Sequence, residues 1–455
     1  MNKNSRKVLI LIFWIALWWL LSVIVDNKVL LASPLNAVKA LWGMLGKGSF
    51  YLTVFGSLLR IGAGFLMGFI LAVCLAAASK QFGLLEELLA PFMNLIKTIP
   101  VASFVVLLLI WWGSSLLAVA ISFLVVLPHI YISTLEGLKN ADEKLLEMAQ
   151  VFRMPLQNRF LFIFRPALKP FLMSSLKIAL GMSWKSGVAA EVIGTPDYSI
   201  GEKLYLSKVY LDTAELFAWT AVVVVLCVLF EKLVLWLSER FFAWEPDCRM
   251  FDKRRKRLNQ CDGVVIHKES ILLEGVSKCY ADQVVLNDIC ASYLPGETYY
   301  LTSPSGSGKT TLLRILAGLT KADSGSVSGV GSCSVVFQED RLCEDYSAIK
   351  NVEMVLGCGC GSEGENAAIS NCTVKEYAKK QLLELLPAES LNKPCRELSG
   401  GMKRRVALVR AFASDSDVVL LDEPFTGMDA QTKERAQAYI REHQRGRTVI
   451  IATHI

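Results

Sequence analysis

The fold of the second half of the chain is decided by the stretch Ser303-Pro304-Ser305-Gly306-Ser307-Gly308-Lys309-Thr310-Thr311. It follows the run Tyr299 to Thr302, which predicts a strand, and precedes Leu312 to Leu316, which predicts a helix. Gly306 and Gly308 let backbone N–H groups turn towards one anion, and the helix N-terminus adds partial positive charge. A strand, a glycine-rich loop and a helix in this order predict a phosphate-binding loop in an α/β domain.

Two side chains of this loop carry its chemistry. In a loop of this type, Lys309 reaches the β- and γ-phosphates of a nucleotide and the Thr310 hydroxyl ligates Mg²⁺. Ser303 stands at the first position of the loop pattern, where glycine is usual. If the backbone there requires a positive φ, serine costs about 1 kcal/mol, and otherwise the change is nearly free.

A second motif lies at the end of an apolar run. Val418 to Leu421 predicts a buried parallel strand, and it is followed by Asp422 and Glu423. Ligands bind at the carboxyl ends of strands in open α/β sheets, so two acids at this place predict function. We expect Asp422 to hold Mg²⁺ through water and Glu423 to act as general base on the attacking water.

A third motif is Leu398-Ser399-Gly400-Gly401-Met402, which precedes a predicted helix from Lys403 to Ala413. Two glycines and a serine at a helix start make a second anion site, because the free backbone N–H groups and the helix dipole point the same way. Ser399, Gly400 and Gly401 are therefore predicted to contact nucleotide.

The composition divides the chain into two parts. Of 455 residues, 53% are hydrophobic and 20% charged, which excludes a disordered or fibrous protein and argues against a wholly soluble one. Nearly all long apolar runs lie before about Arg240. The net charge of +6 indicates contact with anionic lipid or a phosphorylated ligand, and nucleic acid is not an expected partner.

The first part predicts an all-helical membrane domain. The uncharged stretch Thr98 to Leu135 is too long for one crossing, and Trp111 to Ser114 interrupt it, so two helices are expected there. The run Val8 to Val25 resembles a signal peptide, but its length and its tryptophans favour a retained helix. The predicted spans are 8–25, 61–79, 91–111, 115–135, 170–190 and 213–238.

The distribution of basic residues orients these spans. Lys and Arg collect in the loop 136–169 and in the run Lys253 to Arg257, whereas acids outnumber lysines between Glu191 and Glu215. Because cytoplasmic loops carry the excess of basic residues, six spans place the loop 136–169 and the C-terminal half in the cytosol. The segment 141–156 predicts an amphipathic helix, which either lies free in solvent or docks on the soluble half.

Several residues of the spans are unusual for lipid surroundings. Charged side chains lie at or near span ends, where snorkelling is expected: Arg60, Lys97, Lys177, Lys185 and Glu191. The alternative is that Lys97, Lys185 or Glu191 lines a polar translocation path. Small residues in the second span predict close helix packing: Gly62, Gly64 and Gly68.

The segment 246–269 is a predicted basic linker, whose cationic run is expected to bind anionic lipid at the membrane surface. The chain has twelve cysteines without a repeating spacing. Cys358 and Cys360 form a single C-x-C pair in a glycine-rich stretch, and reduced thiols are favoured there over a metal site.

The motifs of the second half resemble those of ABC transporter ATPase domains, in the same order along residues 270–455. This resemblance implies ATP and Mg²⁺ as ligands and a hydrolytic activity. It implies that Gln338 links Mg²⁺ and the lytic water to the membrane domain and that Asp429 lies in a loop contacting a second subunit. It also implies that His454 contacts the γ-phosphate and that Tyr280 stacks on adenine. Met402 stands where glutamine is usual.

The first half resembles the binding-protein-dependent permeases of the nitrate, sulfonate and taurine importer group over about residues 10–245. The motif residues are Glu147-Met148-Ala149 with Ile163, Pro166 and Pro170, then Ser33-Pro34, Lys97 to Pro100, Trp111 to Gly113 and Trp184 to Glu191. Arg153 replaces the glycine usual in the cytoplasmic coupling motif. The resemblance implies import of a small, often anionic solute delivered by a separate extracytoplasmic binding protein.

Together these features predict an all-α six-helix transmembrane domain (1–245), a linker (246–269) and an α/β ATP-binding domain of the ABC type (270–455) in the inner membrane. By the resemblance, the chain forms a homodimer in which Ser399, Gly400 and Gly401 of one subunit close over the phosphate loop of the other. The chain ends at Ile455, where the family continues, which favours truncation or coverage by a partner.

Two other functions share these motifs. An exporter uses the same ATPase chemistry, although the coupling motif and the short external loops argue against it. A membrane-tethered ATPase with a non-transport role, such as nucleic-acid repair, would be expected to carry long coiled coils, which the interval from Gln338 to Ser399 lacks.

Overall fold

The computed structural model describes residues 3–27, 29–244, 269–280, 283–304, 306–356 and 374–453. Ser305, His454, the pair Cys358 and Cys360, and nearly all of the predicted linker lie outside these residues. The chain forms two compact units, Met1–Asn140 with Ala167–Trp244, and Ala141–Pro166 with Glu245–Ile455. The segment 141–166, which interrupts the permease-like sequence, thus folds with the ATPase-like sequence.

The first 244 residues form helices throughout their described part. In chain order these are α1 (Lys3–Val25), α2 (Pro34–Leu45), α3 (Gly48–Gln81), α4 (Gly83–Thr98), α5 (Val101–Lys139), α6 (Glu143–Val151), α7 (Leu156–Arg159), α8 (Arg165–Gly194), α9 (Ile200–Val209) and α10 (Thr213–Ala243), with a π-helical turn (Phe160–Phe164) between α7 and α8.

Four helices of the first unit are long and apolar enough to cross a membrane, namely α1, α3, α5 and α10, within the described residues. They contain four of the six predicted spans, namely 8–25, 61–79, 115–135 and 213–238. The span predicted at 170–190 lies in α8, which does not reach the same hydropathy because lysines, serines and glycines are spaced along it. The all-helical character of this unit is as predicted.

The pair of helices predicted at 91–111 and 115–135 is placed differently along the chain. The interruption lies at Gly113, which has a φ of 73° inside α5, so the predicted break is confirmed. The predicted start of the first helix, at residue 91, is wrong. Residue 91 lies inside α4, which ends at Thr98, and the helix that contains Gly113 begins at Val101. Pro100 explains this boundary, since it lacks an N–H and keeps Ile99 extended.

Two of the three glycines in the second span allow close packing of α3 on α5. A Cβ at Gly64 would lie 2.3 Å from the Val119 carbonyl oxygen, and one at Gly68 would lie 3.0 Å from that of Phe123. At Gly62 the nearest atom would be 4.0 Å away, so no close approach depends on it. Helix packing in membranes relies on such small residues. Lipid tails are as apolar as the side chains, so the hydrophobic effect does not drive the helices together and close van der Waals packing must do so.

Glu191 does not snorkel. Its side chain is fully buried, with one carboxylate oxygen accepting from the Ser57 hydroxyl at 2.6 Å and from the Gly201 N–H at 3.3 Å. Arg60 lies 3.9 Å away and donates to the carbonyls of Asp197 and Tyr198. These contacts give Glu191 a packing role between α3, α8 and the start of α9, where the sequence predicted solvation at a span end.

The described residues of the second unit form two sheets. Their strands are β1 (Ile271–Tyr280), β2 (Gln283–Tyr293), β3 (Thr298–Thr302), β4 (Ser324–Ser328), β5 (Cys333–Val336), β6 (Val418–Asp422) and β7 (Thr448–Thr453). The antiparallel sheet has the order β2-β1-β4, and the parallel sheet has the order β3-β7-β6-β5. The α/β character and both predicted motif strands, now β3 and β6, are confirmed.

Besides α6 and α7, the described residues of this unit form α11 (Lys309–Leu316), α12 (Ala348–Leu356), α13 (Val374–Leu383), α14 (Gly400–Ala413) and α15 (Ala430–Glu442). β6 is completely buried, and α14 packs its apolar face on the same core. The carboxyl ends of β3, β6 and β7 lie at one edge of the parallel sheet, because the three strands pair in parallel register. That edge carries the phosphate loop and the acids Asp422 and Glu423.

Candidate nucleotide site and docking surface

The phosphate loop connects β3 to α11 as the sequence predicts. Gly306 and Gly308 have φ values of 83° and 84°, the left-handed region that glycine adopts without cost. A Cβ at Gly308 would lie 2.7 Å from a methyl of Leu286 and 2.8 Å from the Val285 carbonyl oxygen. Both the backbone conformation and the available space therefore require glycine at position 308.

The side chains of the loop are held by the loop itself. The Lys309 ammonium donates to the carbonyl oxygens of Ser303 and Pro304, the latter at 3.1 Å. The hydroxyls of Ser303 and Ser307 share a hydrogen bond of 2.8 Å. Ser303 is not among the described non-glycine residues with positive φ, so serine at this first loop position needs no strained backbone.

Three predicted magnesium ligands line one cavity of about 180 Å³: Thr310, Gln338 and Asp422. Burial raises the pKa of Asp422, and the neighbouring Glu423 adds to this effect. A hydroxyl, an amide and a buried carboxylate form an oxygen-rich set, which is the chemistry that Mg²⁺ prefers. The residues present thus fit the ion that the motif implies.

Glu423 has a left-handed backbone with a φ of 49°, which is uncommon for a residue other than glycine. Its N–H donates to the Ala452 carbonyl at 3.0 Å, and its carboxylate accepts from the Thr426 hydroxyl at 3.3 Å. Strained backbone of this kind concentrates at functional sites. The proposed general base is therefore held in one orientation at the end of β6.

The serine and glycines of the third motif open a different pocket, of about 600 Å³. We call it the signature pocket, and it is lined by Gln338, Asp340, Ser399, Gly400, Gly401, Arg404, Arg405, Thr426, Gly427, Met428, Asp429 and Thr432. Ser399 caps α14 by accepting from the Met402 N–H at 3.4 Å. Within the described residues no part of the phosphate loop lines this pocket, and Gln338 is the residue shared by the two cavities.

The remaining predicted residues are placed as follows. Asp429 caps α15, where its carboxylate accepts from the Thr432 N–H at 2.7 Å, and this hydrogen bond lowers the pKa of Asp429. Tyr280 ends β1, is exposed, and lies below the Lys278 ammonium. His454 and Ser305 fall outside the described residues. The roles of all these residues stay predictions.

The segment 141–166 binds the ATPase-like sequence through Glu147 on α6. One Glu147 oxygen accepts from Arg314 at 2.6 Å, and the other accepts from Arg314 at 3.0 Å and from Arg341 at 2.6 Å. Hydrogen bonding from Arg314, with a smaller contribution from Arg341, lowers the pKa of Glu147. Of the two predicted states of this segment, docking on the soluble half is the one the structure has.

A second group of contacts lies further along the same segment. Tyr346 donates to the Leu161 carbonyl at 3.1 Å and accepts from Arg165 at 3.0 Å. The amide of Asn158 donates to the Met354 carbonyl at 3.1 Å. We call the residues that receive the segment, namely Arg314, Arg341, Tyr346 and Met354, the docking surface.

The segment is bent at Arg153. The predicted helix 141–156 ends at Val151, because Arg153 has a left-handed φ of 48°. This is the position where glycine is usual in the coupling motif, so the bend is kept although the residue differs. The Arg153 guanidinium donates to the Gly331 carbonyl at 3.4 Å.

Sequence reasoning missed four arginines of this unit: Arg314, Arg341, Arg404 and Arg410. Arg314 and Arg341 line the cavity of Thr310 and Asp422 while they bind Glu147. Arg404 and Arg410 are buried and donate to backbone carbonyls. The available signal was weak, since an arginine inside an apolar helical pattern, as at Arg410 after Val409, indicates burial but names no partner.

Comparison with known proteins agrees with this division. Residues 286–426 match the model of the ABC transporter family, and residues 64–242 match that of the binding-protein-dependent transport system inner membrane component. A Nod factor export ATP-binding protein I of Burkholderia lata is 35% identical over 192 residues, 39% of this chain and 60% of that protein. A sulfate/thiosulfate import ATP-binding protein of Mesostigma viride is 35% identical over 193 residues, 41% of this chain and 55% of that protein.

The chain spans about three fifths of the length of these relatives. Among solved structures, a dimeric post-hydrolysis state of the ATP-binding cassette MJ0796, bound to ADP and Pi, is 27% identical and has a TM-score of 0.36. The alignment covers 41% of this chain and 88% of that one.

The two family matches and the apolar helices identify a multi-pass inner-membrane protein with its ATPase domain in the cytosol. The nitrate, sulfonate and taurine subgroup is not distinguished by these matches. Residues 64–242 of the chain thus resemble an inner-membrane component of the binding-protein-dependent transport systems, and residues 286–426 resemble the ABC transporter family.

Proposed function

We propose that this protein is the subunit of a homodimeric, ATP-driven importer for a small anionic solute, such as nitrate, a sulfonate, taurine or a vitamin precursor. An extracytoplasmic binding protein delivers the solute. The observation that carries the proposal is the binding of Glu147, from the permease sequence, by Arg314 and Arg341. These arginines line the same cavity as Thr310, Gln338 and Asp422.

The residues of the nucleotide site divide the work. Lys309 and the backbone of the loop bind the phosphates, and Thr310, Asp422 and Gln338 hold Mg²⁺. When bound, Mg²⁺ would neutralise part of the negative charge of the phosphates. Glu423 accepts a proton from the attacking water, and its backbone is fixed by a left-handed φ and by the hydrogen bond from its N–H to the Ala452 carbonyl.

Two copies of the chain are needed to complete each site. No described residue of the phosphate loop lines the signature pocket, which shares only Gln338 with the cavity of Thr310 and Asp422, so Ser399, Gly400 and Gly401 line a space that the nucleotide of a second copy can occupy. ATP then holds the dimer closed, hydrolysis releases it, and the change at Gln338 reaches Glu147 through Arg341, three residues further along the chain. We propose Asp429 as part of the same contact between copies.

The test of the nucleotide site uses the full-length protein in detergent with two substitutions. Lys309→Ala should weaken ATP binding about 10- to 100-fold, because charge-assisted hydrogen bonds to phosphate are lost. Glu423→Gln should bind ATP normally and lower kcat about 100- to 10,000-fold, the range of general-base catalysis. Lys321→Ala, an exposed lysine on the same domain, is the control. Wild-type turnover in Glu423→Gln protein would refute the assigned base.

The direction of transport is tested separately, because the named relatives include an export and an import ATP-binding protein. Labelled taurine, nitrate and sulfate are offered to right-side-out and inverted membrane vesicles that contain the protein. An importer takes up solute into right-side-out vesicles only with ATP inside and a binding protein outside. ATP-dependent uptake into inverted vesicles without a binding protein would instead establish an exporter.

A further inference from the structure

Arg404 has no part in the nucleotide chemistry described above, yet it donates hydrogen bonds to three backbone carbonyls near the site. It lies on α14, five residues after the N-cap Ser399, and is 3% exposed. A buried arginine is costly unless its N–H groups are satisfied, so its partners indicate what it is for.

These partners are the backbone of two functional loops. Arg404 Nη2 donates to the carbonyls of Asp422 and Glu423, both at 2.7 Å, and Nε donates to the Glu423 carbonyl at 3.3 Å. Arg404 Nη1 donates to the Phe337 carbonyl and lies 3.3 Å from a carboxylate oxygen of Asp340. Phe337 and Asp340 lie on either side of Gln338 in the segment after β5, which we call the Gln338 loop. The guanidinium of Arg404 thus links α14 to the end of β6 and to the Gln338 loop.

The contact with Glu423 has a specific consequence. A left-handed backbone is unfavourable for a residue other than glycine, so it persists only when its surroundings hold it. At Glu423 the N–H is bound by Ala452 and the carbonyl accepts two bonds from Arg404. The backbone of Glu423 is thus held at both its N–H and its carbonyl.

Arg404 also lines the signature pocket together with Ser399 and Gly401. In the proposed dimer this pocket receives the nucleotide bound by the other copy. A movement of the start of α14 on that nucleotide is transmitted through the guanidinium to Glu423 and to the Gln338 loop of its own chain.

We propose that Arg404 is a positioning residue that couples the two nucleotide sites of the dimer. It aligns the general base Glu423 of a chain when Ser399, Gly400 and Gly401 of that chain close on the nucleotide bound by the partner. This inference rests on the proposed function. It requires the fork of N–H donors that arginine has, because the ammonium of lysine is a compact point donor that cannot reach three carbonyls in this arrangement.

The chain offers a matched control in Arg447. It is also buried, and it also donates to backbone carbonyls, those of Phe412, Ser414, His443 and Gln444. It acts at the other end of α14 and contacts neither Glu423 nor the Gln338 loop through any hydrogen bond of the described residues. Arg447→Lys therefore reproduces the loss of a buried guanidinium fork without touching the base.

The experiment compares Arg404→Lys and Arg447→Lys in the full-length protein by ATPase kinetics, binding of a fluorescent ATP analogue and thermal melting. Arg404→Lys is expected to lower kcat about 100-fold, the cost of misplacing a catalytic group by about 1 Å, with analogue binding within about threefold of wild type. Its Hill coefficient for ATP should fall towards 1. Arg447→Lys is expected to lower the melting temperature while kcat and the Hill coefficient stay at wild-type values.

Two results overturn the inference: wild-type kcat and cooperativity in Arg404→Lys, or the same loss of kcat in Arg447→Lys. A further measurement separates the inference from the proposed function. Amide hydrogen exchange without nucleotide should be faster at residues 419–427 in Arg404→Lys but not in Arg447→Lys. If the wild type has no ATP turnover that depends on Lys309, the proposed function fails, whereas unchanged exchange at 419–427 shows that Arg404 does not hold Glu423.

Discussion

The phosphate loop and the docking surface lie in the same unit but are built from contacts of very different sequence range. In the loop, Lys309 bonds to carbonyls five and six residues away. At the docking surface, Glu147 bonds to arginines 167 and 194 residues away. The loop is therefore a local structure that its own sequence specifies, whereas the docking surface exists only when a segment of the permease sequence has folded onto the ATPase sequence.

This difference predicts how each region responds to substitution. A local structure is lost when a substitution excludes its backbone conformation, and the functional loss is then in nucleotide binding. A surface made of distant residues can lose a contact and still leave the nucleotide site folded. Its loss should then appear in the coupling of hydrolysis to transport.

The largest effect is expected for Gly308→Ala. Its φ of 84° and the contacts of 2.7 and 2.8 Å that a Cβ would make leave no room for alanine. We expect a loss of about 2 kcal/mol in the free energy of unfolding and no measurable ATP binding. Thermal melting and equilibrium binding of an ATP analogue are the measurements.

Gly83→Ala, at the start of α4 and outside the nucleotide site, is the matched control for this substitution. It also changes a glycine at a helix start, but a Cβ there meets no atom within 4 Å and no positive φ is required. Its melting temperature and its ATP affinity should stay close to wild type. Equal losses in the two variants would contradict the conformational argument.

The next effect is expected for Glu147→Gln at the docking surface. The amide keeps the shape of the side chain but loses the charge that binds Arg314 and Arg341. Because the pair is partly exposed, we expect a cost of about 1–2 kcal/mol, with solute transport per ATP hydrolysed falling about tenfold while hydrolysis continues. Transport and ATPase rates are measured in the same proteoliposomes.

Glu143→Gln makes the same chemical change at an exposed position of α6 and should leave this ratio unchanged. If Glu147→Gln lowers hydrolysis and transport equally, Glu147 belongs to the nucleotide site and not to coupling.

A smaller effect of the Glu147 carboxylate is expected when the pH is lowered. Arg314 and Arg341 hold the pKa of Glu147 below its ordinary value of 4.5, so protonation is harder in the folded protein than in the unfolded chain. The stabilisation is present above pH 4.5 and is lost as the pH falls through the lowered pKa. Partial exposure limits it to about 1 kcal/mol.

The difference in melting temperature between wild type and Glu147→Gln, measured from pH 7 down to pH 4, isolates this contribution. All other titrating groups are common to the two proteins. The difference should shrink at the acidic end, and two parallel curves would show that Glu147 does not contribute through its charge.

These contrasts also explain what the sequence predicts well. The phosphate loop, β6 with its two acids and the start of α14 were predictable, because each is a short strand or helix end whose chemistry is contained in a few consecutive residues. Gly308 shows this, since its left-handed φ is what the loop motif requires. The break at Gly113 was predictable for the same reason.

Other features could not be predicted because they depend on partners far along the chain. Nothing next to Glu147 or Glu191 indicates that one meets two arginines and that the other is buried against Ser57. The role of Arg404 is invisible for the same reason, since its acceptors are backbone carbonyls, which every residue has. Helix ends were also missed where a single residue decides them, as at Pro100 and Arg153.

The smallest effect is expected for Arg153→Gly, which sharpens the comparison because it separates the backbone of the docking segment from its side chains. Glycine removes a left-handed cost of about 1–2 kcal/mol and adds about 0.5–1 kcal/mol of chain entropy to the unfolded state. The hydrogen bond that is lost is long, at 3.4 Å, and exposed. A net gain of about 0.5 kcal/mol should raise the melting temperature slightly, whereas Arg153→Ala, which loses the same guanidinium but keeps the Cβ, should lower it or leave it unchanged. If alanine stabilises as much as glycine does, the guanidinium itself was unfavourable and the bend at position 153 carries no strain.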